Sequence, residues 1–250
     1  MTFCLGIKVE DGLVGIADTL VTAGSECSMA GKVFTYQQDH QCMFIMTSGL
    51  RSVRDKALTY FEELLDESGP TFDRLFKALN VFSTQVRRVA EEDKDALAQS
   101  GLEFNIHALV GGQFERDREH KLYLLYPQAN WIEIGQGTPS QIIGAAGYGK
   151  PVLDRTLKYR DPMPFALKVG CLAFDSTRIS AADVDFPIDV VLYERDSYEL
   201  VEQRYEKQDL AEGSNWWQER LRQSVNELQS GWVEPLLSRL PSRRGRAADR

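Results

Sequence analysis

The hydrophobic repeat of this chain switches back and forth between two residues and about 3.6, and that grouping of strand-like and helix-like stretches constrains the fold most. Phe3, Leu5, Ile7 and Val9 alternate with Cys4, Gly6 and Lys8, as a strand does. Asp11-Gly12 is a tight-turn dipeptide and residues 13–18 resume the alternation, so the chain opens with a hairpin. A Gly- and Ser-bearing loop over 24–31 leads to a second strand pair, 32–36 and 41–47. From Arg51 the repeat becomes helical through Val53, Ala57, Tyr60, Phe61, Leu64 and Leu65, and Ser68-Gly69-Pro70 stops it. A second helix is expected from a capping Thr71, with Leu75, Leu79, Phe82, Val86 and Val89 on one stripe.

Strand patterns return over 104–114, 121–126 and 131–134, helical spacing over 151–159 and 164–180, and a last strand pair over 187–193 and 198–205. Trp217, Leu221, Val225, Leu228 and Trp232 then recur at helical intervals. Grouped antiparallel strands alternating with grouped helices predict an α+β fold, because each sheet needs a cover on both faces. The expected architecture is a four-layer αββα sandwich of two antiparallel sheets with an additional C-terminal helix. Residues 1–238 are read as a single domain and 239–250, with Arg239, Arg243, Arg244, Arg246 and Arg250, as a disordered basic tail.

Composition removes several function classes. A net charge of −8 disfavours a nucleic-acid surface, which needs clustered cations. Four cysteines without a CxxC pair and three isolated histidines predict neither a disulfide framework nor a metal site. No apolar run approaches the roughly 18–20 residues of a bilayer span, and the N-terminus lacks a signal pattern, so a cytoplasmic protein with no membrane partner is expected. No cofactor is expected either. Gly144-Ala145-Ala146-Gly147-Tyr148-Gly149-Lys150 falls short of a phosphate-binding loop, because Pro151 stands where Ser or Thr would bind the metal. It reads instead as a Gly-rich turn backing a cleft.

Thr2 heads the first strand, and removal of Met1 would free its amine. A free N-terminal threonine combines a hydroxyl nucleophile with an α-amine of pKa about 7.7–8.0 that can take the hydroxyl proton. A nearby ammonium would tune that pair and a carboxylate would hold the ammonium; Asp18 and Lys32 are candidates. Each has a plainer reading: Thr2 as a residue that permits Met removal, Asp18 as a turn or cap, Lys32 as a solvated strand start.

Thr2, the run Gly15-Ile16-Ala17-Asp18, the run Lys32-Val33-Phe34, and Thr47-Ser48-Gly49 before the first helix together resemble N-terminal-nucleophile hydrolases of the proteasome β-subunit type. Three later runs resemble the Anbu-type bacterial proteasome-related peptidases more specifically. These are Tyr148-Gly149-Lys150-Pro151-Val152-Leu153-Asp154-Arg155, Phe174-Asp175-Ser176-Thr177, and Phe186-Pro187-Ile188-Asp189-Val190-Val191-Leu192-Tyr193-Glu194-Arg195-Asp196. The resemblance implies Thr2 as nucleophile and base, Lys32 as the tuning charge, Asp18 as its holder and the Gly49 amide in the oxyanion hole. It also implies that the backbone of Thr19, Leu20, Val21, Thr22 and Ala23 pairs with an extended peptide or protein substrate, with Leu20 bordering the side-chain pocket. Ser180 and Asp183 are the nearest supporting polar residues. A homo-oligomer, as a ring or spiral, is implied, and aminopeptidase removal of Met1 would suffice to expose Thr2. Where family members commonly carry Asp-Ser-Arg-Thr-Asn, this chain reads Asp18-Thr19-Leu20-Val21-Thr22, and it lacks the Gly-Ser-Gly serine. The expected function is a threonine peptidase; the alternatives are a proteasome-like assembly subunit without strong turnover, and an amidase on a small or isopeptide substrate.

Overall fold

A computed structural model describes residues 2–23, 26–68 and 72–240. The described residues fall into two compact units that meet in sequence at Asp209 and Leu210. Most of the basic tail, 241–250, lies outside the described residues, as does Thr71. Among the described residues no helix is long and apolar enough to cross a membrane.

The first unit is the expected four-layer sandwich. One sheet runs in the order β10 (Ser140–Gly144), β1 (Phe3–Val9), β2 (Gly12–Asp18), β11 (Ile188–Glu194), β12 (Leu200–Tyr205). The other runs β5 (Val33–Gln38), β6 (Gln41–Gly49), β7 (Ile106–Phe114), β8 (Lys121–Leu125), β9 (Trp131–Glu133), and every pairing in both sheets is antiparallel. Cys4, Leu13, Ala17, Phe44, Met46, Leu109, Leu122 and Val191 fill the space between the sheets. Helices α1 (Arg51–Ser68) and α2 (Leu75–Gln99) cover the second sheet through Val53, Phe61, Phe82 and Val86, packed on Met43, Ile45 and Val110.

On the far face lie α3 (Lys150–Thr156) and α4 (Met163–Ser180). A methyl group on Gly170 of α4 would stand 2.7 Å from Ile16 Cδ1, so helix and sheet are in close contact there. Phe3 meets Phe174 edge-on at 5.7 Å. Every residue of β1 and β2 is therefore buried, and their alternation separates two buried faces rather than core from solvent. The helix side carries Phe3, Leu5 and Ile7; the sheet side carries the small Cys4 and Gly6, which lets Leu122 come close.

Two local expectations change. The 24–31 stretch is not all loop, since β3 (Leu20–Ala23) and β4 (Glu26–Met29) form a separate two-stranded sheet. The second helix starts at Leu75 rather than after Thr71, and its first amide donates to Asp117 Oδ2 at 2.9 Å, a cap supplied from 42 residues away. In the second unit, α5 (Ala211–Glu227) exposes Trp216, Leu221 and Val225, and α6 (Glu234–Leu237) is a single turn.

Candidate active site

The antiparallel register of β1 and β2 sets Cys4 opposite Ala17, which brings the end of β2 to the beginning of β1. Asp18 is wholly buried there, and its Oδ1 accepts the Phe3 amide at 2.8 Å and Lys32 Nζ at 2.7 Å. Lys32 Nζ also donates to the Leu20 carbonyl at 2.7 Å. One carboxylate oxygen thus ties the backbone just after Thr2 to an ammonium arriving from the start of β5. Burial pushes the Asp18 carboxyl above its ordinary value, while Lys32 and the Phe3 amide pull it back. The β3–β4 hairpin takes up the chain between Asp18 and Lys32, so their short separation in sequence is no obstacle to contact.

Thr2, half-buried, lines a cavity of 280 Å³. Lys32, Thr47, Ser48 and Gly49 line it beside Thr2. The Thr2 carbonyl accepts the Ala145 amide at 2.7 Å, so the strand carrying it is clamped on both sides, by β2 and by the end of β10. That clamp requires glycine at 144: its φ is +88°, and a Cβ would fall on the Thr2 carbonyl. Gly49 is equally constrained at φ +130°, because a Cβ would fall on the Asn105 carbonyl, which also accepts the Leu50 amide at 2.9 Å.

Thr2, Lys32, Gly49 and Val21, all singled out in the sequence, line one cavity, and Asp18 lies behind Lys32. Other expectations shift. Thr19 is buried and its backbone is committed inside the protein: its amide and hydroxyl donate to the Pro187 carbonyl at 3.1 and 2.9 Å, and its carbonyl accepts the Ala30 amide. The Leu20 carbonyl is taken by Lys32, and Val21 rather than Leu20 borders the cavity. Thr22 and Ala23 continue β3 in pairing with Cys27 and Glu26. Ser180 ends α4 exposed and Asp183 is half-buried; neither lines the cavity.

Three lining residues were given no functional part in the sequence: Arg51, Arg54 and Asn105. The two arginines occupy the first turn of α1, which starts two residues after Gly49, so the proximity of helix and turn was the signal for them. Gly144 also lines the cavity, in keeping with a Gly-rich turn that backs a cleft. Cys4 is no rival nucleophile: it is fully buried, its Sγ lies 3.5 Å from the Thr47 carbonyl, and burial together with the Asp18 charge drives its thiol pKa up. Among the described residues no group of three or more His, Cys, Asp or Glu side chains could hold a metal ion. The arrangement presents a hydroxyl, a buried ammonium–carboxylate pair and a sharply turned glycine around one small space.

Solved structures place this geometry in context. An Anbu variant from Hyphomicrobium sp. strain MC1 superposes with a TM-score of 0.84 at 29% identity, over 91% of this chain and 99% of that one. The Anbu complex of Pseudomonas aeruginosa, solved as a helical assembly, gives 0.86 at 26% identity over 91% and 97% of the two chains. The chain is Anbu-like. Anbu from Yersinia bercovieri, described as an ancestral β-subunit, agrees at a TM-score of 0.85 and 25% identity over 91% and 98%. No protein-family model matches the sequence, and no curated protein does. The Anbu-like similarity therefore reaches this chain through structure, over 91% of its length.

Proposed function

We propose that this chain is a proteasome-type threonine peptidase whose nucleophile is Thr2 after Met1 has been removed. The observation that supports it most is the Lys32 ammonium, fixed between Asp18 Oδ1 and the Leu20 carbonyl at 2.7 Å each, in the cavity that Thr2 and Gly49 share. A cation held there favours the neutral α-amine and the ionised hydroxyl of Thr2, the two forms that attack requires.

In this reading the Thr2 Oγ adds to a peptide carbonyl and passes its proton to the Thr2 α-amine. The Gly49 amide donates to the oxygen that gains the charge. The C–N bond then breaks, the ammonium returns the proton to the departing amine, and an ester on Thr2 remains. Water attacks the ester, the α-amine takes one of its protons, and that proton goes back to Oγ as the acid leaves. No metal or organic group enters these steps. The helical assembly of the Pseudomonas relative and the apolar face of α5 support self-association of this chain as well.

Labelling with a peptide epoxyketone, followed by intact mass and peptide mapping, tests the nucleophile. The expected result is one adduct on Thr2 and none in Thr2→Ala. An adduct that survives Thr2→Ala, or a purified chain that keeps Met1, overturns the assignment; no adduct in either chain favours an assembly subunit.

A further inference from the structure

Lys32 is not the only cation on this cavity, since Arg51 and Arg54 line it as well. Along β6, Met43 and Ile45 pack beneath α1 and α2, so Thr47, two residues on, points to the same side. The cavity thus extends from Thr2 to the first turn of α1, where Arg51 and Arg54 line it; among the described residues no acidic side chain does.

The charges do not cancel. Lys32 is matched by Asp18. Arg51 and Arg54 share a single carboxylate, Asp55, at 3.2 and 2.7 Å, which leaves one guanidinium charge unmatched among the described residues. Arg54 is braced: its side chain is 12% exposed, and it donates to Asp55 Oδ1 and, at 3.2 Å, to the Gly31 carbonyl. Arg51 is 54% exposed and uses only its Nε on Asp55, so its two terminal nitrogens have no partner among the described residues. Thr47 borders the same cavity. It is 2% exposed, and its hydroxyl is buried without a hydrogen-bond partner among the described residues.

We propose that this cavity selects an acidic side chain, glutamate or aspartate, on the substrate residue whose carbonyl Thr2 attacks, with Arg51 as the contact and Arg54 as its positioning residue. A free fork of guanidinium donors suits a carboxylate and not a neutral amide. The Asp55 bridge engages the Nε of Arg51 and leaves its two terminal nitrogens for the carboxylate. The inference rests on the nucleophile assigned above, but its recognition step stands apart from acylation.

The test uses the full chain and three N-acetyl tripeptide epoxyketones ending in glutamate, glutamine or leucine. The glutamate-to-glutamine ratio of labelling rates at Thr2 is expected to be about tenfold or more, the scale of one charge-assisted hydrogen bond. It should fall toward one in Arg51→Gln and shrink as salt is raised, since half-exposed charges are screened. Because each ratio is taken within one protein, a general loss of activity cancels. A ratio near one in the unmodified chain, or an unchanged ratio in Arg51→Gln, overturns the proposal while leaving the nucleophile standing.

Calorimetric binding of the unreactive tripeptide amides separates the two failures. If nothing labels Thr2, the peptidase reading falls, yet tighter binding of the glutamate amide than the glutamine amide, lost in Arg51→Gln, still supports acidic recognition. Equal binding of the two amides, or none, overturns it. A glutamine tripeptide with a free C-terminus that binds as tightly as the glutamate amide assigns the site to a terminal carboxylate and overturns the side-chain assignment.

Discussion

Replacing Lys32 with methionine removes the ammonium while keeping most of the stem that packs beneath it. The pair it breaks is short and dry: Nζ to Oδ1 is 2.7 Å, with side chains 3% and 0% exposed. Removing one partner of such a pair destabilises by about 3–5 kcal/mol, because the other charge is left buried. For a domain of this size that corresponds to a fall in Tm of roughly 10 °C. The sign of the pH dependence follows from the group left behind. Burial already lifts the Asp18 carboxyl above its ordinary 3.8, and Lys32 opposes the rise, so its removal lifts the carboxyl further. A carboxyl with a raised folded pKa favours the native state fully below the unfolded value and loses that contribution as pH climbs through the folded one. The gap between Lys32→Met and the unmodified chain should therefore be widest at neutral pH and narrow on acidification. Adding Asp18→Asn should restore most of the loss, since the amide removes the charge and its carbonyl oxygen still accepts the Phe3 amide. Thermal unfolding by circular dichroism, at one protein concentration so that assembly contributes equally, reads all three. A Lys32→Met chain that melts within about 2 °C of the parent at pH 7 would refute the buried pair as a structural tie. So would a pH-independent gap, or no recovery in the double variant.

Gly144→Ala should displace the Thr2 carbonyl, break its bond to the Ala145 amide and slow labelling of Thr2 by about 10²-fold, the effect of an ångström of misplacement on a reacting group. Gly147→Ala, with open space around its new methyl group, is the control, and equal rates in the two variants would show that the clamp does not seat Thr2. Mass photometry of the purified chain should find multiples of the monomer, with a solely monomeric population at micromolar concentration counting against self-association.

The layers were legible because each sheet announces itself through period two and each helix pair through period 3.6. What the pattern concealed was the meaning of the alternation in β1. Phe3, Leu5 and Ile7 form one face and Cys4 and Gly6 the other, and period two does not say that the second set is buried against another sheet. Small side chains there are the mark of close sheet packing, and composition alone cannot separate that from exposure. The start of α2 was illegible for a different reason: its cap is Asp117, a carboxylate delivered by the turn after β7, so no local pattern could announce it. Strand β10 has no pattern of its own, and only its last residue, Gly144, belongs to the Gly-rich turn; its partner is the distant β1, with Gly144 opposite Phe3.

At the site, the residues that the sequence could supply were those tied to backbone geometry, and those it could not were set by direction. Asp18 ends a strand that is antiparallel to the one Thr2 begins, so the hairpin alone brings the two together once the register is known. Thr19 illustrates the opposite case. It follows Asp18 directly, yet its amide and hydroxyl turn inward to Pro187, a residue 168 positions away, and only at Val21 does the chain come back to the cavity. The same logic explains Arg51 and Arg54. Residues three apart on a helix share a face, but which face borders the cavity depends on how the chain leaves β6, and that path passes through Gly49 at φ +130°. A glycine required to avoid the Asn105 carbonyl thereby also decides where two cations stand. The charge beside the nucleophile is thus a consequence of backbone direction, and a substitution at Gly49 should disturb acidic recognition together with Thr2 labelling.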